Sequence, residues 1–158
     1  EGLEIDDATI DNWMARKQQY YVALRDTIQP DDVMPGIPQL IDAAKATNLK
    51  IAVGSSSRNA RPVLERLNLA HHFEIIGDGY TVKHLKPEPD IFLWVAGGLQ
   101  LPPEQCLVLE DAPAGITAAL RAGCYVIGVG ERDLSDAHHQ VVSLADTSLQ
   151  NLLESLKS

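Results

Sequence analysis

From Lys50 onward the chain alternates short β-rich runs with helical stretches, and this alternation constrains the fold more than any other feature of the sequence. Lys50-Ile51-Ala52-Val53 predicts a strand, with a helix over 60–67. A second strand is predicted over 73–76, ahead of a helix over 89–99. The third strand, Cys106 to Leu109, precedes a helix over 114–122. Tyr125 to Val129 predicts a fourth strand, Val141-Val142 a short fifth, and 147–156 a closing helix. Strands joined through helices form βαβ units, hence a parallel sheet covered on both faces, an α/β architecture. In such sheets ligands bind beyond the carboxyl ends of the strands.

The stretch before this alternation differs in character. Residues 7–26 contain neither Gly nor Pro and space their apolar residues among polar ones, which predicts one long amphipathic helix. Gln29-Pro30-Asp31-Asp32 ends it, and Pro35-Gly36 interrupts the chain again before a second helix over 38–47. At 158 residues and 45% hydrophobic content there is material for one core, or for one domain and a piece of another. A formal net charge of -9 argues against a nucleic-acid partner. It leaves open a small phosphorylated ligand bound by a few local donors. No apolar run approaches the ~18 residues of a membrane span. Cys106 and Cys124 have no metal-ligand spacing and are expected as small buried residues, compatible with a reducing, cytoplasmic setting. The five histidines, with no such spacing either, are expected as solvated loop residues. The chain opens on Glu1-Gly2-Leu3-Glu4 and not on Met, which reads as a position inside a longer or processed polypeptide.

Three strand ends carry the chemistry. Gly54-Ser55-Ser56-Ser57-Arg58-Asn59 follows the first strand of the alternation and precedes a helix. Hydroxyls beside free backbone N–H groups suit a phosphate, and Arg58 adds a forked donor; the plainer alternative is a Ser or Asn capping the helix. Leu85-Lys86-Pro87-Glu88-Pro89-Asp90 holds Lys86 in an extended loop, because Pro87 excludes the helical region for its predecessor; a solvated surface lysine is the alternative. Leu107-Val108-Leu109 ends in Glu110-Asp111, and two carboxylates at the tip of a buried strand need a positive partner such as Mg2+. The alternative there is a helix cap by Asp111 with Glu110 exposed.

Taken in order, a Ser at a strand end, a K-P-x-P-D-I-F loop and an E-D-A-x-A-G-I strand end resemble the haloacid dehalogenase superfamily. The flanks, from Arg16-Lys17 to Pro35-Gly36-Ile37 and over 64–69, are similar to its β-phosphoglucomutase-like phosphatases and phosphomutases. The resemblance implies a Rossmann-like core over 33–158 and the final part of a helical cap over 1–32. It implies that Ser55 and Lys86 are catalytic, holding and neutralising the phosphoryl group in transit, with help from the backbone at Ser56. Ser57, Arg58 and Asn59 would grip the substrate's other phosphate. Asp111 would ligate Mg2+, with Glu110 beside it. Where Arg58 stands, members of the family commonly carry Lys.

The family's aspartate nucleophile sits in a D-x-D-G motif on the first core strand, and no such motif stands in this sequence. In that fold the strand at Ile51 and the strand at Leu107 flank the missing one and would otherwise show open edges. The expectation is that these residues alone are not a stable, active enzyme, and that a preceding segment supplies the strand, with another chain as the alternative. The activity implied is conversion of β-glucose 1-phosphate to glucose 6-phosphate by a monomeric phosphomutase. A small sugar-phosphate phosphatase and a non-catalytic phosphosugar-binding protein are the alternatives.

Overall fold

The computed structural model describes residues 6–157; the Glu1-Gly2-Leu3-Glu4 start and Ser158 lie outside them. Helix α1 spans Asp7–Arg25. Asp6 caps it by accepting the Thr9 N–H at 2.7 Å, and Asp7 and Arg25 place charge of the favourable sign at either end. The amphipathic reading of this helix is corrected: none of its residues is buried, and Trp13, Met14, Tyr20 and Leu24 stay exposed. Periodicity marks the side of a helix that can be buried, not whether a surface is there to bury it. A short 3-10 turn, Pro30–Asp32, then leads to α2, Ile37–Ala46. Gly36 precedes α2 at φ 90°, with the backbone of Leu144 packed where a Cβ would stand, so only glycine fits.

Five parallel-paired strands follow: β1 (Ala52–Gly54), β2 (Ile75–Gly77), β3 (Leu107–Glu110), β4 (Tyr125–Val129) and β5 (His139–Val141). They form two sheets and not one, β1-β2 and β3-β4-β5. Ala52 pairs with Ile75, Leu107 with Tyr125 and Ile127 with His139. Among the described residues no ladder joins β1 to β3, so each is an edge of its own sheet.

Helices alternate with the strands: α3 (Ala60–Arg66), α4 (Asp90–Leu99), α5 (Pro113–Ala122) and α6 (Leu149–Glu154). Proline at its first position starts α5, and Gly123 at φ 85° ends it, the usual asymmetry of helix termini. Successive residues of β4 point to opposite faces and enter different cores. Val126 lies with Ile91, Phe92 and Ile116, from α4 and α5; Ile127 lies with Leu144 and Leu152, against which Ile37 and Leu40 of α2 pack. The three-stranded sheet is thereby covered on both faces, as the α/β reading expected. Each such aliphatic side chain, once fully buried, contributes about 1.5–3 kcal/mol.

Cys124 is buried and Cys106 half-buried. The histidine reading holds for His84 and His138, which are exposed and lie in loops, and is corrected for His71 and His72, which lie in a 3-10 turn, and for His139, which lies in β5. The His138 ring accepts the Val126 N–H at 3.1 Å, His139 opens β5, His84 meets Asp90 at 2.9 Å and His72 meets the Lys45 ammonium at 2.5 Å. No helix among the described residues is long and apolar enough to cross a membrane.

Candidate active site

The loop after β1 is tied down by its own hydroxyls. The Ser55 N–H donates to the Gly77 carbonyl at 3.0 Å, extending the β1-β2 pairing. Ser55 Oγ accepts the Ser57 N–H, and Ser57 Oγ accepts the Asn59 N–H, each at 3.1 Å. Such side-chain turns occupy backbone donors that would otherwise compete for the helix. Helix α3 is only 7 residues long, and Asn59 at its N-cap makes no side-chain cap bond. The serines therefore shape a loop and do not cap the helix directly. The loop after β2 supports this one from the side: the Gly79 N–H donates to the Ser57 carbonyl at 3.1 Å. A Cβ on Gly79 would stand 2.5 Å from the Ser56 carbonyl oxygen, so the approach requires glycine.

Lys86 reaches this loop through its backbone and the carboxylate loop through its side chain. Its N–H donates to Ser56 Oγ at a long 3.4 Å, and its ammonium donates to Glu110 Oε2 at 2.6 Å. The Lys86 and Glu110 side chains are 14% and 10% exposed, so the surface-lysine alternative fails. The Lys86 ammonium also lies 4.6 Å above the centre of the Phe92 ring, a cation–π contact from the first turn of α4. Glu110 is seated against the start of α5. A Cβ on Gly115 would overlap its carboxyl group.

The exposures of the two carboxylates are the reverse of the capping alternative. Glu110 is largely buried and paired, Asp111 is exposed, and the N-cap of α5 is Ala112 without a side-chain bond. Hard carboxylate oxygens at one strand tip suit Mg2+, which takes one or two carboxylates and completes its shell with water and phosphate. Among the described residues no third Asp, Glu, His or Cys joins them in a cluster. The pair fits the ion as part of its donor set, with Asp111 the side chain free to turn toward it.

The structure thus brings Ser55, Ser56, Ser57 and Asn59 into one loop and joins Lys86 to it and to Glu110. Arg58 makes no hydrogen bond or ion pair with these residues, its guanidinium lying 5.2 Å over the Tyr80 ring, and Asp111 makes no side-chain hydrogen bond to the others. Sequence reasoning assigned no part to Phe92, Gly115, Gly79 or Tyr80. Phe92 and Gly115 stand inside the motifs already quoted, where a residue three positions into a helix can touch the loop before it. Gly79 and Tyr80 lie in a loop without periodicity and gave no signal.

A family model described as haloacid dehalogenase-like hydrolase matches residues 2–123. The chain is 40% identical over 142 residues to a β-phosphoglucomutase of Bacillus subtilis (strain 168), covering 89% of this chain and 63% of that protein. It is 34% identical over 134 residues to a fructose-1-phosphate phosphatase of Escherichia coli (strain K12), covering 80% of this chain and 68% of that one. Among solved structures, the β-phosphoglucomutase of Clostridium difficile superposes with a TM-score of 0.89 at 35% identity, covering 97% of this chain and 69% of that one. The chain therefore spans somewhat under two thirds of the length of the Bacillus relative. The three ordered strand-end motifs, the parallel α/β architecture and these likenesses agree: the chain belongs to the haloacid dehalogenase-like hydrolases, in the β-phosphoglucomutase-like group of phosphatases and phosphomutases.

Proposed function

We propose that the protein is an Mg2+-dependent phosphoryl-transfer enzyme acting on a small phosphorylated sugar, and that its reaction converts β-glucose 1-phosphate to glucose 6-phosphate. The observation that carries this reading is the Lys86 ammonium, largely shielded from solvent, 2.6 Å from Glu110 and tied by its backbone to the serine loop. A cation fixed between a hydroxyl-rich loop and a carboxylate pair is placed to offset charge on a phosphoryl group in transit. Ser55 and the Ser56 backbone hold that group; Ser57, Arg58 and Asn59 face the substrate's other phosphate. Glu110 and Asp111 would hold Mg2+, which when bound neutralises phosphate charge.

Residues 33–158 form the core in this reading and residues 1–32 the end of a cap. The nucleophilic aspartate, which forms the aspartyl phosphate, belongs to a strand outside these residues. The paired edges support that placement: β1 and β3, which carry the serine loop and the carboxylates, both lack a neighbour on one side among the described residues.

The mutase reading is favoured by the distal set Ser57, Arg58 and Asn59 and by the 40% identity to a β-phosphoglucomutase. A structural neighbour from Rhodobacter sphaeroides, 26% identical with a TM-score of 0.75, was solved with xylulose-(1,5)bisphosphate, so the fold accommodates two-phosphate ligands. A sugar-phosphate phosphatase is the second reading, favoured by the relatives that carry that name. The full protein, given β-glucose 1-phosphate and a trace of glucose 1,6-bisphosphate, is expected to yield glucose 6-phosphate. Release of free phosphate without isomerised sugar would instead establish the phosphatase.

A further inference from the structure

Arg58 is the one cation of the serine loop, yet it makes no hydrogen bond or ion pair among the described residues. Its stem lies over Gly79, and its guanidinium carbon lies 5.2 Å from the ring centre of Tyr80, from the connection after β2. Tyr80 is 73% exposed, so burial does not account for its position. Its backbone is fixed instead by a tight turn. Asp78 Oδ1 accepts the Tyr80 N–H at 2.9 Å, the Asp78 carbonyl accepts the Thr81 N–H at 2.9 Å, and Thr81 Oγ1 accepts the Asp78 N–H at 2.8 Å. Gly79 then presses the turn against Ser56 and Ser57 at a distance no larger residue allows. Two loops from different strands are thus locked together, and the aromatic ring comes to rest on the arginine.

A guanidinium stacked on a ring keeps its N–H groups in plane and available, while its side chain loses much of its freedom to swing into water. That geometry suits bidentate capture of a phosphate better than a free arginine does. We propose that Tyr80 is a positioning residue that holds Arg58 ready for the second phosphate of the substrate, and so tunes the enzyme toward ligands with two anionic groups. The inference rests on the assignment of Arg58 to that second phosphate.

The test is calorimetric binding to the full protein with a chelator present, using inorganic phosphate and glucose 1,6-bisphosphate as probes. An exposed cation–π contact corresponds to about a two- to fivefold change in affinity. Tyr80→Ala and Tyr80→Leu should weaken the bisphosphate by about that factor and leave inorganic phosphate, held at Ser55 and Lys86, unchanged. Tyr80→Phe, which retains the ring, should bind as wild type does. In an Arg58→Ala background the Tyr80 substitutions should have no further effect. Equal losses in the presence and absence of Arg58, or a Tyr80→Phe variant as weak as Tyr80→Leu, would overturn the proposal. If Arg58→Ala itself leaves bisphosphate binding intact, the assignment of the distal phosphate fails, and the Tyr80 proposal with it.

Discussion

Two glycine-to-alanine substitutions in neighbouring helices should move stability in opposite directions. Gly97 lies in α4, is exposed, and a Cβ there would meet nothing within 4 Å. Gly97→Ala gains helix propensity and lowers the entropy of the unfolded chain, for about 0.5–1 kcal/mol of stabilisation. Gly115 lies in the first turn of α5, where the same methyl would overlap the carboxyl group of Glu110. That group would have to retreat on the order of 1 Å to reach ordinary contact distance. It cannot do so and keep a 2.6 Å bond to the Lys86 ammonium unless the lysine follows, and the lysine is itself packed over Phe92. A largely buried acceptor deprived of its donor costs about 1–3 kcal/mol, more than helix propensity returns. Gly115→Ala should therefore lower stability by about 1–2 kcal/mol net, even though it is nominally a helix-favouring change. In thermal unfolding of the full protein each kcal/mol corresponds to a Tm shift of about 2–4 °C, so the two variants should fall on either side of wild type. A Gly115→Ala protein at least as stable as wild type would refute the argument, because it would mean that Glu110 has room to spare and is not seated by α5.

Other outcomes follow from the same contacts. Lys86→Met should cost about 3–5 kcal/mol in urea denaturation by leaving Glu110 buried without its cation, and Lys86→Met/Glu110→Gln should recover most of it; equal losses in both would show that the pair is screened by water. Lys86→Met should also lower kcat by about 10²–10³-fold in the phosphomutase assay, through loss of charge stabilisation. Cys124, 4% exposed, has its thiol pushed up to about 11 by burial, from an ordinary 9.0. The folded state thus resists ionising this thiol while the unfolded state does not. Its contribution to stability should be complete below pH 9 and decline by up to about 1.4 kcal/mol per pH unit toward pH 11. A Cys124→Ala variant in pH-dependent melts should lack that decline.

Much of the fold was legible because apolar runs and helix punctuation recur in step. All five strands were found, most of them shifted by one or two residues, since pairing begins where a parallel neighbour comes into register and not where apolar residues begin. Ala52, for example, is the first residue of β1 because Ile75 stands opposite it. The serine loop and the carboxylate pair were also legible as strand ends. The partnership of Lys86 with Glu110, 24 residues apart, was not, because it depends on how a crossover returns to the sheet. For the same reason the sequence could not show which of Glu110 and Asp111 is buried. The apolar residues of α1 carried a misleading signal: spacing such as that of Trp13 and Tyr20 states a preference for burial, which this structure does not fulfil.

The division of the strands into two sheets has a mechanical consequence. Among the described residues the serine loop rides on one sheet and the carboxylates on the other, and no ladder runs directly from β1 to β3. Helix α4 ties the two together, packing on β1 and β2 at one side and on α5 at the other. Its Ile91 Cδ1 reaches the place where Gly77 lacks a side chain, and its Phe92 ring lies against Gly54 while supporting Lys86. Interdigitated side chains, unlike ladders, hold position through volume: a missing methylene on Ile91 would be felt as slack between the two halves of the candidate site, before it was felt as unfolding.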